Sequence, residues 1–255
     1  MKVPNSSLET ERVLVMAHGW GYNHQFFNLL LKTLPIKFRK TTLIVCLEAG
    51  YFPDQAKLGL MVQIQDKWVR YPVEFLHRLL SNHTQVPWIG FGHSLGFSRL
   101  LDYSIQWHSL FSLHGFTYFI KSSIHPTGSP PRLLEHMIKK AKHNMAEVLN
   151  DFHKRCGFSL KWELLNEKTL LADLESMKEL NCTLTLHEKI LSGTRIHVWA
   201  GKNDQIVSPE LVKACFGHAL IKQGNSLYTL ETGHSDLACQ TAPYTNTLLP
   251  LLGHY

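Results

Sequence analysis

Gly92-His93-Ser94-Leu95-Gly96 sets a serine between two glycines, where the run "VPWIGF" (86–91) gives way to "LGFSRLLDYSI" (95–105). The first run has the length and content of a buried strand, and the second has helical spacing. A serine on a sharp strand-to-helix turn stands with its hydroxyl above the strand ends, and only small neighbours let the chain pass that closely. The helix that follows offers its N-terminal amides to developing negative charge. This is the G-x-S-x-G nucleophile elbow, and it makes Ser94 the candidate nucleophile. An ordinary Gly/Ser turn, the alternative, would not call for a strand before it and a helix after it.

A serine hydroxyl needs a base near neutral pH, and the base needs an orienting acid. On an elbow of this kind the chain order is Ser, then Asp or Glu, then His, in loops after late strands. Asp204 in "WAGKNDQIVSP" follows the strand pattern 195–201, and His234 in "LETGHSDLA" follows the pattern 226–231. The expected triad is Ser94, Asp204 and His234. Asp173, on a helical stretch, is a competing acid, and His218, in another helical pattern, is a weaker base candidate. "HGWG" (18–21) directly follows the first strand pattern, "RVLVMA". The backbone N–H groups of Trp20 and Leu95 are therefore the expected oxyanion donors, with a plain turn as the alternative reading of His18-Gly19.

Short apolar, β-branched runs alternate with helical patterns along the chain, which predicts an α/β fold with a mainly parallel sheet covered by helices on both faces. Strands are expected at 12–17, 41–47, 86–91, 109–115, 195–201 and 226–231. Helices are expected at 24–34, 58–81 (with Pro72 dividing it), 95–105, 132–155, 167–180, 208–220 and 236–252. The 255 residues, 44% hydrophobic, suffice for one domain spanning 1–255, with a small helical lid inserted at about 116–166. No apolar run approaches the roughly 18 residues of a membrane span. "MKVPNSSLETER" lacks the apolar core of a signal peptide, and the five cysteines are scattered without a Cys-x-x-Cys, so a cytoplasmic monomer is expected. The histidines show no metal-ligand spacing, and no metal or organic cofactor is expected. The net charge of +6 permits an acidic partner, but no basic run or aromatic interleaving indicates nucleic acid.

Along nearly its whole length the chain resembles the α/β-hydrolase superfamily. Within it the chain is most similar to the biotin-pathway esterases that demethylate pimeloyl-[acyl-carrier protein] methyl ester. "HGWG", "GHSLG", "VWAGKNDQIVSPELV", "ETGHSDLACQTAPY" and "LLADLESMKELN" carry the likeness, with His93 standing where that family often has Trp. The resemblance implies a serine carboxylesterase whose acyl chain runs under the lid along Trp20, Leu95 and Phe152. It also implies basic lid residues that hold the acidic carrier protein, here Lys139, Lys140, Lys142, Lys154 and Arg155. Between 116 and 166 eight Lys/Arg face four Asp/Glu, so this stretch holds +4 of the chain's +6. Such a cluster would raise the rate of association with an acidic carrier, although each lysine alone reads as a solvated helix face. The other readings are a general short-chain carboxylesterase or thioesterase, and a non-catalytic binding protein on the same fold.

Overall fold

The computed structural model describes residues 10–52, 59–64, 67–221 and 224–253. Strand β1 (Arg12–Ala17) is buried at every position. Helices α1 (Asn28–Thr33) and α2 (Ile36–Thr41) lead from it to β2 (Thr42–Glu48). A hairpin of β3 (Gly59–Ile64) and β4 (Lys67–Pro72) precedes α3 (Phe75–Asn82). Then β5 (Trp88–His93), α4 (Leu95–Leu101) and β6 (Ser109–Leu113) follow closely. Four helices separate β6 from β7: α5 (Pro131–Ala141), α6 (Met145–Cys156), α7 (Glu167–Ser176) and α8 (Thr183–Leu191). The chain closes with β7 (Arg195–Gly201), α9 (Pro209–Phe216), β8 (Ser226–Leu230) and α10 (Ala242–Gly253).

The strands form one sheet in the order β4-β3-β2-β1-β5-β6-β7-β8. From β2 to β8 every neighbouring pair is parallel, while β3 runs antiparallel to both β2 and β4. The parallel strands β1, β5 and β6 are buried at every position, as expected where helices cover both faces. Phe91, Phe111, Trp199 and Tyr228 stack in succession across β5, β6, β7 and β8, with ring centroids 6.1, 5.8 and 5.2 Å apart. This aromatic row keys the four strands whose C-terminal ends carry the site. Among the described residues no helix is long and apolar enough to cross a membrane.

Three expectations need correction. The helix expected over 58–81 is a β-hairpin followed by a short helix; residues 58, 65 and 66 lie outside the described part. Val62 pairs with Val69 and Leu60 with Tyr71, so cross-strand contacts and docking on β2 override a pattern that fits helical spacing locally. Pro72 ends the edge strand, where its missing N–H costs no ladder bond. The single helical stretch expected over 132–155 is two helices. The first ends at Ala141 with Lys142 as its C-cap; Asn144 caps the second, its side chain accepting from Glu147 N at 3.1 Å, and Gly157 closes α6 in the left-handed region. Finally, a further helix, α8, lies between the helix expected at 167–180 and β7, so the helices between β6 and β7 extend to Leu191.

Helix α7 is fastened to the sheet through polar groups. The Tyr51 hydroxyl donates to Asp173 Oδ2 at 2.6 Å, and Arg99 of α4 donates both to Tyr51 and to the same carboxylate. The Arg99 and Asp173 side chains are each about a quarter exposed, so the group is shielded without being sealed. Asp173→Ala leaves a half-shielded guanidinium without its anion and should lower unfolding free energy by about 2 kcal/mol. Urea denaturation of the two proteins checks this.

Candidate active site

Ser94 sits between β5 and α4 with φ 53° and ψ −128°, a conformation that L-residues hold only when the surroundings over-determine it. A Cβ on Gly96 would come 2.1 Å from the carbonyl oxygen of Ala17, and one on Gly92 would come 2.3 Å from the Cα of Phe97. Backbone is pressed against backbone on both sides of the serine, which accounts for the glycine spacing. The Ser94 N–H donates to Leu113 O at 2.9 Å, tying the turn to the end of β6.

Asp204 and His234 lie in the loops after β7 and β8. Since β5, β7 and β8 run the same way, both loops emerge on the sheet edge that bears Ser94. His234 Nδ1–H donates to Asp204 Oδ2 at 2.7 Å, and both side chains are fully buried. Asp204 Oδ1 accepts from the N–H groups of Ile206 and Val207, each at 2.8 Å. Burial would raise the Asp204 pKa; the charge and hydrogen bond of His234 outweigh it and hold the carboxyl below the usual range. His234 Nε2 is buried and has no hydrogen-bond partner. With Nδ1 donating to Asp204, that nitrogen has room for a proton.

His93, the residue before Ser94, braces His234. Its Nε2–H donates to the His234 carbonyl at 2.9 Å, and its ring stacks on Phe26 at 4.1 Å. Burial, then the neighbouring His234 and His114, push its pKa well down, so it stays neutral. The loop 18–24 is braced from below by a buried carboxylate. Glu48 Oε1 accepts from His24 N and from His24 Nδ1, both at 2.7 Å, and His18 Nε2 lies 3.4 Å from Oε2. Burial raises the Glu48 pKa, but the contacts with His18 and His24 prevail and lower it to about 2.

From above, the same loop is tied to the helices between β6 and β7. Trp20 Nε1–H donates to Leu170 O at 2.8 Å, the Tyr22 hydroxyl to Phe158 O at 3.0 Å, and His153 Nε2–H to Gly21 O at 2.9 Å. Leu95 opens α4, so its N–H has no preceding turn to bond. Trp20, Ser94, Leu95 and Phe152 all line one cavity of about 470 Å³ roofed by α5 and α6. Trp20 and Phe152 meet edge to face at 4.9 Å.

Of the basic residues singled out in the sequence, Lys140, Lys154 and Arg155 line that cavity beside Asp151. Lys139 is exposed on α5. Lys142 pairs with Glu175 at 2.8 Å, and Lys154 lies 3.8 Å from Asp151. Asp173 is taken up by Arg99 and Tyr51, and exposed His218 packs beside His187, so neither stands with Ser94. Sequence reasoning missed Glu48, His153 and His114. The expected strand at 109–115 enclosed His114; the structure ends β6 at Leu113 and so puts His114 on the sheet edge that bears Ser94.

No protein-family model matches the chain, and no curated protein does. Solved structures do. MenH from S. aureus has 15% identity and a TM-score of 0.67, covering 97% of this chain and 96% of its own. An esterase from Exiguobacterium antarcticum has 14% identity and a TM-score of 0.62, covering 96% and 93%. BioG from Haemophilus influenzae has 12% identity and a TM-score of 0.52, covering 92% and 94%. Likeness of this kind, with the eight-stranded sheet, establishes that the chain has the α/β-hydrolase fold.

Glu48→Gln keeps the shape of the loop brace and removes its charge. The folded-state pKa near 2 lies below the ordinary 4.5, so the stabilisation is whole above about pH 4.5 and is lost as pH falls toward 2. The substitution should destabilise the fold at pH 7, and the difference should shrink as pH falls below about 4. Denaturant titrations at several pH values measure the difference.

Proposed function

We propose that the chain is a serine carboxylic ester hydrolase with Ser94 as nucleophile, His234 as general base and Asp204 as its orienting acid. One observation carries this: a strained serine on the wall of a cavity shares a sheet edge with a buried 2.7 Å His–Asp pair whose outer nitrogen is bare. His234 takes the Ser94 proton as the hydroxyl attacks the ester carbonyl. The N–H groups of Trp20 and Leu95 hold the tetrahedral oxyanion, and Asp204 stabilises the imidazolium. His234 then protonates the departing alcohol. Water repeats the sequence on the acyl-enzyme and frees the carboxylate.

As to substrate, we propose the methyl ester of pimeloyl-[acyl-carrier protein], the ester implied by the sequence resemblance. The cavity supports an acyl chain lying along Trp20, Leu95 and Phe152 beneath a lid of α5 and α6. Lys140, Lys154 and Arg155 at this cavity, with Lys139 and Lys142 on the same lid, offer positive charge to an acidic carrier. BioG among the fold neighbours accords with that choice. On this reading the protein acts in the cytoplasm, and the reaction needs no metal or organic cofactor.

Mass spectrometry of pimeloyl-carrier methyl ester incubated with the protein tests both bond and substrate. The expected product has lost one methylene's mass, with its thioester intact. Release of the acyl group from the carrier would make the protein a thioesterase, and turnover of p-nitrophenyl esters alone would make it a general carboxylesterase. Ser94→Ala should lower kcat by at least about 10³-fold and abolish labelling by a fluorophosphonate. Unlabelled wild-type protein would favour a binding protein. Reversing Lys140, Lys154 and Arg155 together to Glu should raise KM for the carrier-bound ester about tenfold at low salt and leave a p-nitrophenyl ester largely unaffected.

A further inference from the structure

Among the described residues, two that are not glycine hold a left-handed backbone: Ser94 at φ 53° and His114 at φ 51°. The elbow explains the first, but the mechanism above makes no use of the second. His114 follows β6 and is wholly buried. Its Nδ1 lies 3.2 Å from Asp204 Oδ2, the oxygen that receives the proton of His234. The same Nδ1 accepts from Gly201 N–H at 3.1 Å. A peptide nitrogen always carries its hydrogen, so Nδ1 is bare; the ring proton is on Nε2, 3.3 Å from the Tyr244 hydroxyl. Asp204 Oδ2 thus has a donor on one side and an acceptor on the other.

We propose that His114 is a positioning residue for the Asp204–His234 pair, its bare Nδ1 denying Oδ2 a second donor and so directing the carboxylate's charge onto His234. The proposal rests on the hydrolase reading given above. A lone pair beside Oδ2 makes an unshared carboxylate charge more costly, which strengthens the bond to His234 and favours its cationic form. That cation is what must form when the serine proton is taken. Were Nδ1 protonated instead, His114 would compete with His234 for the same oxygen, and the effect on His234 would have the opposite sign.

The other ionisable groups facing this cluster do not supply that effect. His93, at the end of β5, has its ring 6.4 Å from His114 and 4.8 Å from His234, and it remains neutral. Tyr244 of α10 is buried and protonated. Cys156 of α6 has its thiol pushed up to about 12, by burial first, so it too is uncharged. Asp236, after β8, acts on the Tyr244 side of the ring.

The test uses full-length protein with ¹⁵N-labelled histidine and reads the titration of the His234 ring by NMR, alongside the pH profile of kcat/KM for p-nitrophenyl acetate. His114→Ala removes the acceptor, and His114→Gly does the same while suiting the left-handed backbone, should the alanine chain fold poorly. His114→Asn returns a carboxamide oxygen near the place of Nδ1. Removing the acceptor should move both the His234 titration and the acidic limb of the profile to lower pH, by about half a unit. It should also cut kcat by about two- to threefold with KM within about twofold. Asn should recover most of both, and Tyr244→Phe, which leaves Nδ1 in place, should leave them nearly as in the wild type. An unmoved or upward His234 titration, or an Asn variant as impaired as Ala, overturns the proposal. If the wild-type protein hydrolyses no ester, the hydrolase reading fails, and the NMR titration still decides what His114 does.

Discussion

The site turns on one buried carboxylate. Asp204 is charged, sealed from water and placed at the C-terminal edge of the sheet, a situation tolerated only when its oxygens are well supplied with partners. Two amides of its own loop satisfy Oδ1, and His234 satisfies Oδ2. The loops after β7 and β8 cannot move apart without exposing that charge unpaired. Because β6 is hydrogen-bonded between β5 and β7, the same requirement fixes where the elbow stands relative to His234. The aromatic row across these strands keeps their ends in register, so packing and electrostatics act on the same geometry.

A second buried carboxylate organises the other half of the site. Glu48, at the end of β2, holds the 18–24 loop from beneath through the backbone N–H and ring of His24. From above, Trp20, Gly21 and Tyr22 are hydrogen-bonded to Leu170, His153 and Phe158. The loop that would receive an oxyanion is therefore shared between the sheet and the roofing helices. The Arg99–Tyr51–Asp173 group adds a third tie between the sheet side and α7.

Much of this was legible along the chain. The parallel strands β1, β2 and β5 to β8 stand out as short β-branched and apolar runs because burial on both faces demands continuous hydrophobicity. The elbow is legible because glycines at 92 and 96 answer a steric need visible in five residues. Asp204 and His234 could be picked from chain order and their position after strands. The β3–β4 hairpin was not legible: its spacing fits a helix, and only pairing with β2 makes it a sheet edge. Helix α8 was overlooked, and the pause at Asn144 becomes clear only once its side chain is seen capping α6.

What the sequence determined by itself, then, is local or strictly ordered: the strand runs, the steric signature around Ser94, and the sequential order of acid and base. These depend on neighbours a few residues away, or on a direction of travel that a parallel sheet preserves. Tertiary structure alone decided which polar groups meet across long separations. Asp173 went to Arg99 and Tyr51, His93 to the His234 carbonyl, Glu48 to the 18–24 loop, and His114 to Asp204. No residue pattern encodes these partners, because a buried hydrogen bond is chosen by where the folded backbone leaves an unsatisfied atom, and that place does not exist until the sheet has formed.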